Sequence, residues 1–306
     1  MKTITRQLIK KLTVFAIATT VLVGCSGNED TPSTFFEGIK ETAVTNNPSA
    51  VWNTIPSSMQ NDVNSVVHDI GNRLPSEFYN SVWKLVSRLS NLLDTKKEFI
   101  LNTPIVQMGL LQLSPQEKEQ FVATYDFIVP AINILASSQV SSTEGLKTFN
   151  SSKFIANNGR QLTDAAVSIM QVAATQNREA SAGIQVWQSL SSLQVTTLSE
   201  TEDSAVVQTS VVLPSLFAQS GVDGTEKISM SKVDGKWIPS AMQLGFKAAI
   251  AEARANIATT DFSVNSQQMM GMSMAVAMAD MALSPLEAAN TQAEFDMAIQ
   301  QLAMMF

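Results

Sequence analysis

The sequence predicts an α+β fold, in which an N-terminal helical region precedes a small antiparallel four-stranded sheet and C-terminal helices. Three patterns along the 306 residues carry this prediction. Apolar residues recur every three to four positions in the first half, β-branched residues concentrate at about 193–239, and helical spacing then returns. We therefore expect a helical region over 35–142 and an α+β region over 143–306.

The N-terminal helices follow from apolar spacing and start signals. Proline fits the first turn of a helix, so Pro56 and Pro75 each mark a helix start. The second of these helices carries an apolar stripe formed by Phe78, Val82, Leu85, Leu89 and Leu92. Ser114-Pro115-Gln116-Glu117 is a capping-box pattern and predicts a further helix with a kink at Pro130.

Four strand-like runs predict the sheet, over about 193–198, 205–213, 226–233 and 236–239. The acidic stretch Glu200-Thr201-Glu202-Asp203 separates the first two runs and is interpreted as a solvated turn. Asp234-Gly235 separates the last two and predicts a type I′ hairpin, because that turn needs positive φ at both central residues. The alternation of apolar and polar residues predicts one buried face.

Helical spacing returns after the sheet. We expect helices from Ser240 to about Ile257 and from Ser266 to Leu283. Ser284-Pro285-Leu286-Glu287 repeats the earlier helix-start pattern and predicts a last helix that runs to Phe306.

The first residues have the organisation of an export signal. A positively charged start precedes the apolar run Leu12–Val23, which is shorter than the roughly 20 residues that span a bilayer. The run ends in Leu22-Val23-Gly24-Cys25, which resembles the lipobox of bacterial lipoproteins, and Cys25 is the only cysteine. The resemblance implies that residues 1–24 are a signal peptide, and that Cys25 receives a diacylglyceryl thioether and an acylated (palmitate-type) amino group.

The residues after Cys25 bear on location. Ser26 stands where an Asp would retain such a lipoprotein in the inner membrane, so the resemblance implies the outer membrane and its periplasmic face. Residues 25–34 are polar, contain Gly and Pro, and are expected to form a flexible tether. The expected partners are the membrane, through the lipid on Cys25, and a protein of the cell envelope.

Charge and cysteine content exclude several classes of function and stabilisation. The formal net charge is −7, and removal of the four cations in residues 1–24 leaves −11. No Lys/Arg cluster remains to neutralise phosphates, which argues against nucleic-acid binding. With Cys25 lipidated no thiol is left for a disulfide, so burial must supply the stability.

A second resemblance covers the hairpin region. The segment from Val206 to Pro239, which closes with Lys-Val-Asp-Gly-Lys-Trp-Ile, resembles the last strands of nuclear-transport-factor-2-like (cystatin-like) α+β folds. The helical stretch from Ala50 to Val63 is similar to uncharacterised exported bacterial proteins. Neither resemblance implies an activity, and the helices that follow the hairpin depart from the usual pattern.

Few side chains suit catalysis. His68 is the only histidine, so any His-dependent triad or zinc site would require it, and we interpret it as a helix-surface residue. Glu200, Glu202 and Asp203 lack calcium-loop spacing. We predict no catalytic, metal or cofactor-binding residue, and enzymatic activity is not expected. A hydrolase whose carboxylates meet only in the fold remains an alternative.

The tryptophans and methionines are the other candidates. Trp52, Trp83, Trp187 and Trp237 lie in apolar patterns and are interpreted as core anchors rather than sugar-stacking residues. Six methionines fall within thirteen residues: Met269, Met270, Met272, Met274, Met278 and Met281.

Helical spacing places Met270, Met274, Met278 and Met281 on one face, for which three interpretations stay open. Core or helix-partner packing is favoured, a protein-binding face is the second, and a Cu(I) site built from soft thioethers is the third. The expected function is a non-catalytic binding or structural accessory of the cell envelope. Met-rich Cu(I) binding and carboxylate-based hydrolysis are the alternatives.

Overall fold

The computed structural model describes residues 30–175, 178–211, 226–262 and 266–305, and its helices and strands follow the expected α+β order. Before the sheet lie α1 (Thr34–Thr45), α2 (Ser49–Trp52), α3 (Ser57–Arg73), α4 (Ser76–Thr95), α5 (Lys97–Leu101), α6 (Pro104–Leu111), α7 (Pro115–Ala136), a 3-10 turn (Gln139–Ser141), α8 (Thr143–Lys147), α9 (Ser151–Ala174) and α10 (Arg178–Leu190). The strands are β1 (Val195–Glu200), β2 (Ser204–Thr209), β3 (Glu226–Val233) and β4 (Lys236–Pro239). The chain ends with α11 (Ser240–Thr259), α12 (Ser266–Ala288) and α13 (Gln292–Met305).

The chain forms two compact units, each built from two separate stretches. Among the described residues, unit 1 consists of 30–66 together with the residues between Asn150 and Asn256. Unit 2 consists of Val67–Phe149 together with Ile257–Phe306. Both units are therefore discontinuous in sequence, whereas the regions expected from the sequence are consecutive.

The sheet belongs to unit 1 and is an antiparallel meander in the order β1-β2-β3-β4. Asp234 and Gly235 have φ angles of 49° and 77°, which confirms the two-residue turn with positive φ at both positions. Glu200 still pairs with Ala205 at the end of β1, so the acidic turn is shorter than expected and comprises Thr201–Asp203. Residues 212 and 213 of the second expected strand lie outside the described residues.

The buried face of the sheet is carried by β2 and β3, in which buried residues alternate with more exposed ones. The buried residues of these two strands are Ala205, Val207, Thr209, Ile228 and Met230. β1 is exposed along nearly its whole length, whereas β4 buries both Trp237 and Ile238. The predicted one-sided burial therefore holds for the two central strands.

The first helices complete the core of unit 1, with Phe35, Phe36, Ile39, Val51, Ile55 and Met59 among its buried residues. The Trp52 indole N–H donates to Ser152 Oγ at 2.9 Å, and that hydroxyl donates to Gln60 Oε1 at 3.1 Å. Gln60 Nε2 in turn donates to the Trp52 carbonyl at 2.8 Å. This closed set of hydrogen bonds satisfies the polar atoms that accompany Trp52 into the core.

Residues 30–34, the end of the stretch expected to be a tether, are part of unit 1. Asp30 Oδ2 accepts a hydrogen bond from the Trp237 backbone N–H at 2.8 Å, on the edge strand β4. Pro32 is buried, and α1 begins at Thr34. Burial raises the pKa of Asp30, and the bond from Trp237 and the charge of Lys236 oppose that rise. A carboxylate thus pairs a donor that an edge strand would otherwise expose.

Within unit 2, α4 contacts both α7 and α12. The core of this unit consists of Leu92, Leu283, Leu286, Ala289, Phe295 and Ala298. The predicted capping box at the start of α7 is confirmed, because Ser114 Oγ accepts from the Glu117 N–H at 3.3 Å and Glu117 Oε2 accepts from the Ser114 N–H at 2.7 Å. Pro130 lies inside α7, which continues for six more residues to Ala136.

The prediction that a helix begins at Ser284 is wrong. α12 continues through Pro285 without a break and ends at Ala288. Leu283 and Leu286, on either side of the proline, are both buried in the core of unit 2. Their burial offsets the backbone hydrogen bond that a proline inside a helix removes.

The last helix has a different start signal, which the sequence reading missed. The Glu294 N–H donates to Thr291 Oγ1 at 3.3 Å, and Glu294 Oε2 accepts from the backbone N–H groups of Thr291 at 3.2 Å and Asn290 at 2.7 Å. This is a capping box in Thr-x-x-Glu form, directly before Gln292. These hydrogen bonds hold the pKa of Glu294 below its usual value.

Candidate functional site

The histidine considered for catalysis has a structural contact. His68 Nε2 donates to the backbone carbonyl of Phe149 at 2.8 Å, and both residues belong to unit 2. The imidazole is half-buried, so it is less exposed than the expected helix-surface residue. Its hydrogen bond joins α3 to the segment that follows α8.

The acidic residues of the first hairpin remain apart from any pocket. Glu200, Glu202 and Asp203 are all exposed, as expected of a solvated turn. The Thr201 N–H donates to the Ser204 carbonyl at 2.8 Å and closes the turn. Across the described ranges, no three His, Cys, Asp or Glu side chains gather in a group that could hold a metal ion.

The tryptophans divide between core and surface. Trp52 and Trp237 are buried in unit 1 and Trp187 packs against the same core, as expected of core anchors. The Lys232 ammonium lies 5.3 Å from the centre of the Trp237 ring, across the β3–β4 hairpin. Trp83 differs from the others, because it is half-buried and lines a groove in unit 2.

The methionine-rich segment is exposed, and the favoured interpretation of core packing is wrong for it. Met270, Met274, Met278 and Met281 have exposed fractions of 71, 64, 38 and 64%, and we call these four residues the methionine face. Met272 on the same helix, and Met297 and Met304 on α13, are exposed as well. The side chains of Met269 and Met305 lie outside the described residues.

The reason lies in which side of α12 is packed. Leu283 and Leu286 enter the core of unit 2 and lie about half a turn around the helix from the methionine face, at ~100° per residue. Residues 270–275 are all exposed, so among the described side chains of the helix packing begins after this stretch. Residues 270–275 of α12 therefore carry apolar side chains into solvent, although sequence periodicity alone suggests a buried face.

An ion-pair network between α4 and α12, away from the methionine face, helps to orient α12. Arg88 of α4 contacts Asp280 Oδ1 and Glu287 Oε2, each at 2.5 Å, and also donates to the Asp280 carbonyl at 2.9 Å. These carboxylates raise the pKa of Arg88 and keep its guanidinium charged. Asp280 and Glu287 are the only charged residues of α12. They lie two helical turns apart, and this spacing was the signal in the sequence for a shared ion-pair partner. The rest of the helix surface is consequently free of charge.

A second apolar surface in unit 2 is a groove of about 310 Å³ between α4 and α7. It is lined by Trp83, Val86, Leu89, Ser90, Leu93, Ile132 and Leu135. The Ser90 hydroxyl donates to the Ser87 carbonyl at 3.1 Å, so this polar group is already satisfied. The lining contains no carboxylate and offers a surface for apolar contact only.

Two tyrosines of unit 2 donate hydrogen bonds to backbone carbonyls near this groove. The Tyr79 hydroxyl donates to the Val140 carbonyl at 2.5 Å, and burial raises the pKa of Tyr79. The Tyr125 hydroxyl donates to the Leu93 carbonyl, and burial together with the charges of Asp94 and Asp126 raises the pKa of Tyr125 to about 12. Both hydroxyls therefore stay protonated at neutral pH and act as structural donors.

No protein-family model, curated protein or solved structure matches this chain. Among the helices that the structure describes, none is long and apolar enough to cross a membrane. Function must therefore be inferred from the surfaces of the chain itself. The methionine face is the strongest candidate, because its side chains are apolar, uncharged and exposed.

Proposed function

We propose that this chain is a lipid-anchored protein on the periplasmic face of the outer membrane, where it acts as a non-catalytic binding or structural accessory of the cell envelope. The lipobox-like Leu22–Cys25 supports the anchor, and Ser26 supports the outer membrane. Both lie outside the described residues, so the support comes from the sequence. The binding role is supported by the methionine face of α12.

The occupant we propose for the methionine face is the apolar face of a helix in another envelope protein. Three of its four residues, Met270, Met274 and Met278, lie in the uncharged run of residues 262–279, so neither a charged peptide nor a phosphate would find a partner there. Methionine side chains are long and unbranched, and they adapt to an apolar helix without a preformed cavity. Small residues between them, such as Gly271 and Ala275, let a second backbone approach closely.

The packing of Asp30 supports a module held close to its anchor. Only four residues separate Cys25 from Asp30, and five residue steps span at most about 17 Å. Because Asp30 is hydrogen-bonded to Trp237, the part of the expected ten-residue tether that remains between Cys25 and Asp30 is these four residues. A lipid on Cys25 would thus keep the edge of β4 near the membrane surface.

The anchor is tested by growing cells with radiolabelled palmitate and isolating the protein. We expect label in the wild-type chain and none in Cys25→Ser, because the thiol carries the lipid-bearing thioether. Label that persists in Cys25→Ser, or its absence from the wild type, would refute the anchor.

The binding face is tested by placing a photo-crosslinking amino acid at Met274 in cells. The matched control is Gln300, which is exposed on α13 and polar. We expect one discrete protein adduct from position 274 that is absent from position 300. Identical adduct patterns from both positions would contradict a specific face.

Cu(I) binding is a second candidate, because the same thioethers are accessible rather than packed in the core. Met270 and Met274 lie one turn apart, as do Met274 and Met278, with about 5–6 Å between the Cβ atoms of each pair. Competition with a chromogenic Cu(I) chelator measures this binding. Equal affinity in wild type and in a variant with all three residues changed to Leu would exclude it.

The third candidate, a carboxylate-based hydrolase, has no support among the described residues. The groove between α4 and α7 contains no acid, and Asp280 and Glu287 are both engaged by Arg88. The hairpin acids Glu200 and Glu202 are exposed in solvent.

A further inference from the structure

The choice of methionine on an exposed face calls for a chemical reason. Leucine would also supply apolar contact, and polar residues would suit contact with water. Methionine differs from both in its thioether, which oxidants convert reversibly to a sulfoxide. Four methionines lie on one face of α12, so the difference is repeated at one surface.

Accessibility separates the methionine face of α12 from two methionines in the core of unit 1. On α12, Met270 is 71% exposed and Met274 is 64% exposed. In the core of unit 1, Met59 is 5% exposed and Met230 is 1% exposed. Oxidation follows access to the sulfur, so the two groups should react at very different rates. The buried pair provides an internal standard within the same molecule.

We propose that the methionine face of α12 is a reversible oxidation site, at which hypohalous acids or peroxides convert the exposed thioethers to sulfoxides and change the face from apolar to polar. The proposal as a regulatory device depends on the proposed binding function, whereas the oxidation site itself does not.

The reaction balances with hypochlorous acid as the oxidant. The sulfur of a methionine gives up two electrons and forms a bond to oxygen, while the O–Cl bond breaks and chloride and a proton are released. Reduction needs two thiols, which become a disulfide as the oxygen leaves as water. A thiol-dependent methionine sulfoxide reductase performs this second step.

The structure indicates that the fold tolerates this change. Leu283 and Leu286, which attach α12 to the core of unit 2, lie on the opposite side of the helix. The Arg88 network also lies away from the methionine face. A sulfoxide on the exposed side places a polar oxygen in water and leaves these contacts unchanged. Only the binding of an apolar partner helix would remove water from that oxygen, and the cost of this desolvation would weaken binding.

The experiment uses the mature chain, residues 25–306, with Cys25→Ser, which retains every described residue. Graded hypochlorous acid is added, and fragment-ion mass spectrometry measures sulfoxide at each methionine. We expect Met270 and Met274 to oxidise at least about tenfold faster than Met59 and Met230. Rates within about twofold of one another would overturn the proposal.

The change in polarity is followed with the apolar dye anilinonaphthalene sulfonate, and circular dichroism follows the fold. We expect oxidation to lower dye fluorescence, reductase with thiol to restore it, and the dichroism spectrum to stay constant. A variant with Met270, Met274 and Met278 changed to Leu should bind dye and keep that signal after oxidant. The corresponding Gln variant should show the low signal from the start.

The outcomes separate this proposal from the proposed function. Loss of the dichroism signal on oxidation, or dye fluorescence that falls equally in the Leu variant, would overturn the reversible change of polarity. If oxidation is selective and reversible but crosslinking at Met274 yields no partner, the binding function fails and the oxidation site stands. If crosslinking succeeds and oxidation leaves it undiminished, the regulatory proposal fails alone.

Discussion

Asp30 offers the sharpest test of how the N-terminal end of the chain is attached to unit 1. Its carboxylate accepts the Trp237 N–H at 2.8 Å, and Trp237 is 1% exposed. Asp30→Ala removes the acceptor and leaves a donor on a buried residue unpaired, which costs about 1–3 kcal/mol. Because Asp30 is only half-buried, water can reach part of this site, and we expect about 1–2 kcal/mol.

Asp30→Asn is the matched control, because its amide oxygen accepts the same hydrogen bond without burying a charge. We expect this variant to be at least as stable as the wild type at neutral pH. Burial raises the pKa of Asp30 above 3.8, so the native state binds this proton more tightly than the unfolded chain does. The part of the stability that depends on this proton is therefore full at pH values below 3.8 and is lost as pH rises through the folded pKa. The hydrogen bond from Trp237 persists above that pKa, because the carboxylate also accepts it.

Thermal unfolding measures both effects, at about 2–4 °C per kcal/mol for a unit of this size. Hydrogen exchange at the Trp237 amide locates the effect, and it should accelerate in Asp30→Ala only. Unchanged melting and exchange in the Ala variant, or equal destabilisation by Ala and Asn, would refute the role given to this hydrogen bond. Confirmation would leave Cys25 joined to unit 1 by a linker of only four residues.

Three further predictions concern packing and helix starts. Gly159→Ala should lower the melting temperature, because the added Cβ would lie 2.6 Å from Pro48 Cγ. In its control, Gly183→Ala, the added Cβ meets nothing within 4 Å and should stabilise the protein by about 0.5–1 kcal/mol. A loss of stability in both variants would contradict this contrast. Phe295→Ala should destabilise unit 2 by about 3–5 kcal/mol in denaturant unfolding, since the ring is 1% exposed, and a cost below about 1 kcal/mol would show that the site is not packed as described. Hydrogen bonds lower the pKa of Glu294 below 4.5, so the stability contributed by its carboxylate is present above that pH and is lost as pH falls through the folded pKa. The stability of Glu294→Gln should therefore depend less on pH in acid than that of the wild type. Parallel pH profiles of the two proteins would count against the capping box.

Local signals predicted the start of α7 and the β3–β4 hairpin, and both are confirmed. Ser114 and Glu117 are three residues apart, and Asp234 and Gly235 are adjacent, so each motif can be recognised without the rest of the chain. The same signal failed at Ser284, where the pattern occurs inside a continuous helix. Burial of Leu283 and Leu286 outweighed the local preference there, and no short window of sequence contains that information.

The candidate site shows the same division. Periodicity correctly placed Met270, Met274, Met278 and Met281 on one helix face, because 3.6-residue geometry is a property of the segment alone. It could not tell whether that face is covered. An apolar face looks the same in sequence whether another helix packs on it or solvent surrounds it, and only the position of α4 distinguishes the two.

The sequence by itself determined the types and order of the elements, the net charge and the apolar character of α12, since each depends on neighbouring residues or on composition. The tertiary structure decided which stretches join into each unit, which side of α12 is free, and that Asp30 pairs with a residue 207 positions away. These outcomes depend on contacts between residues far apart along the chain. Such contacts form only when the whole core of a unit is assembled.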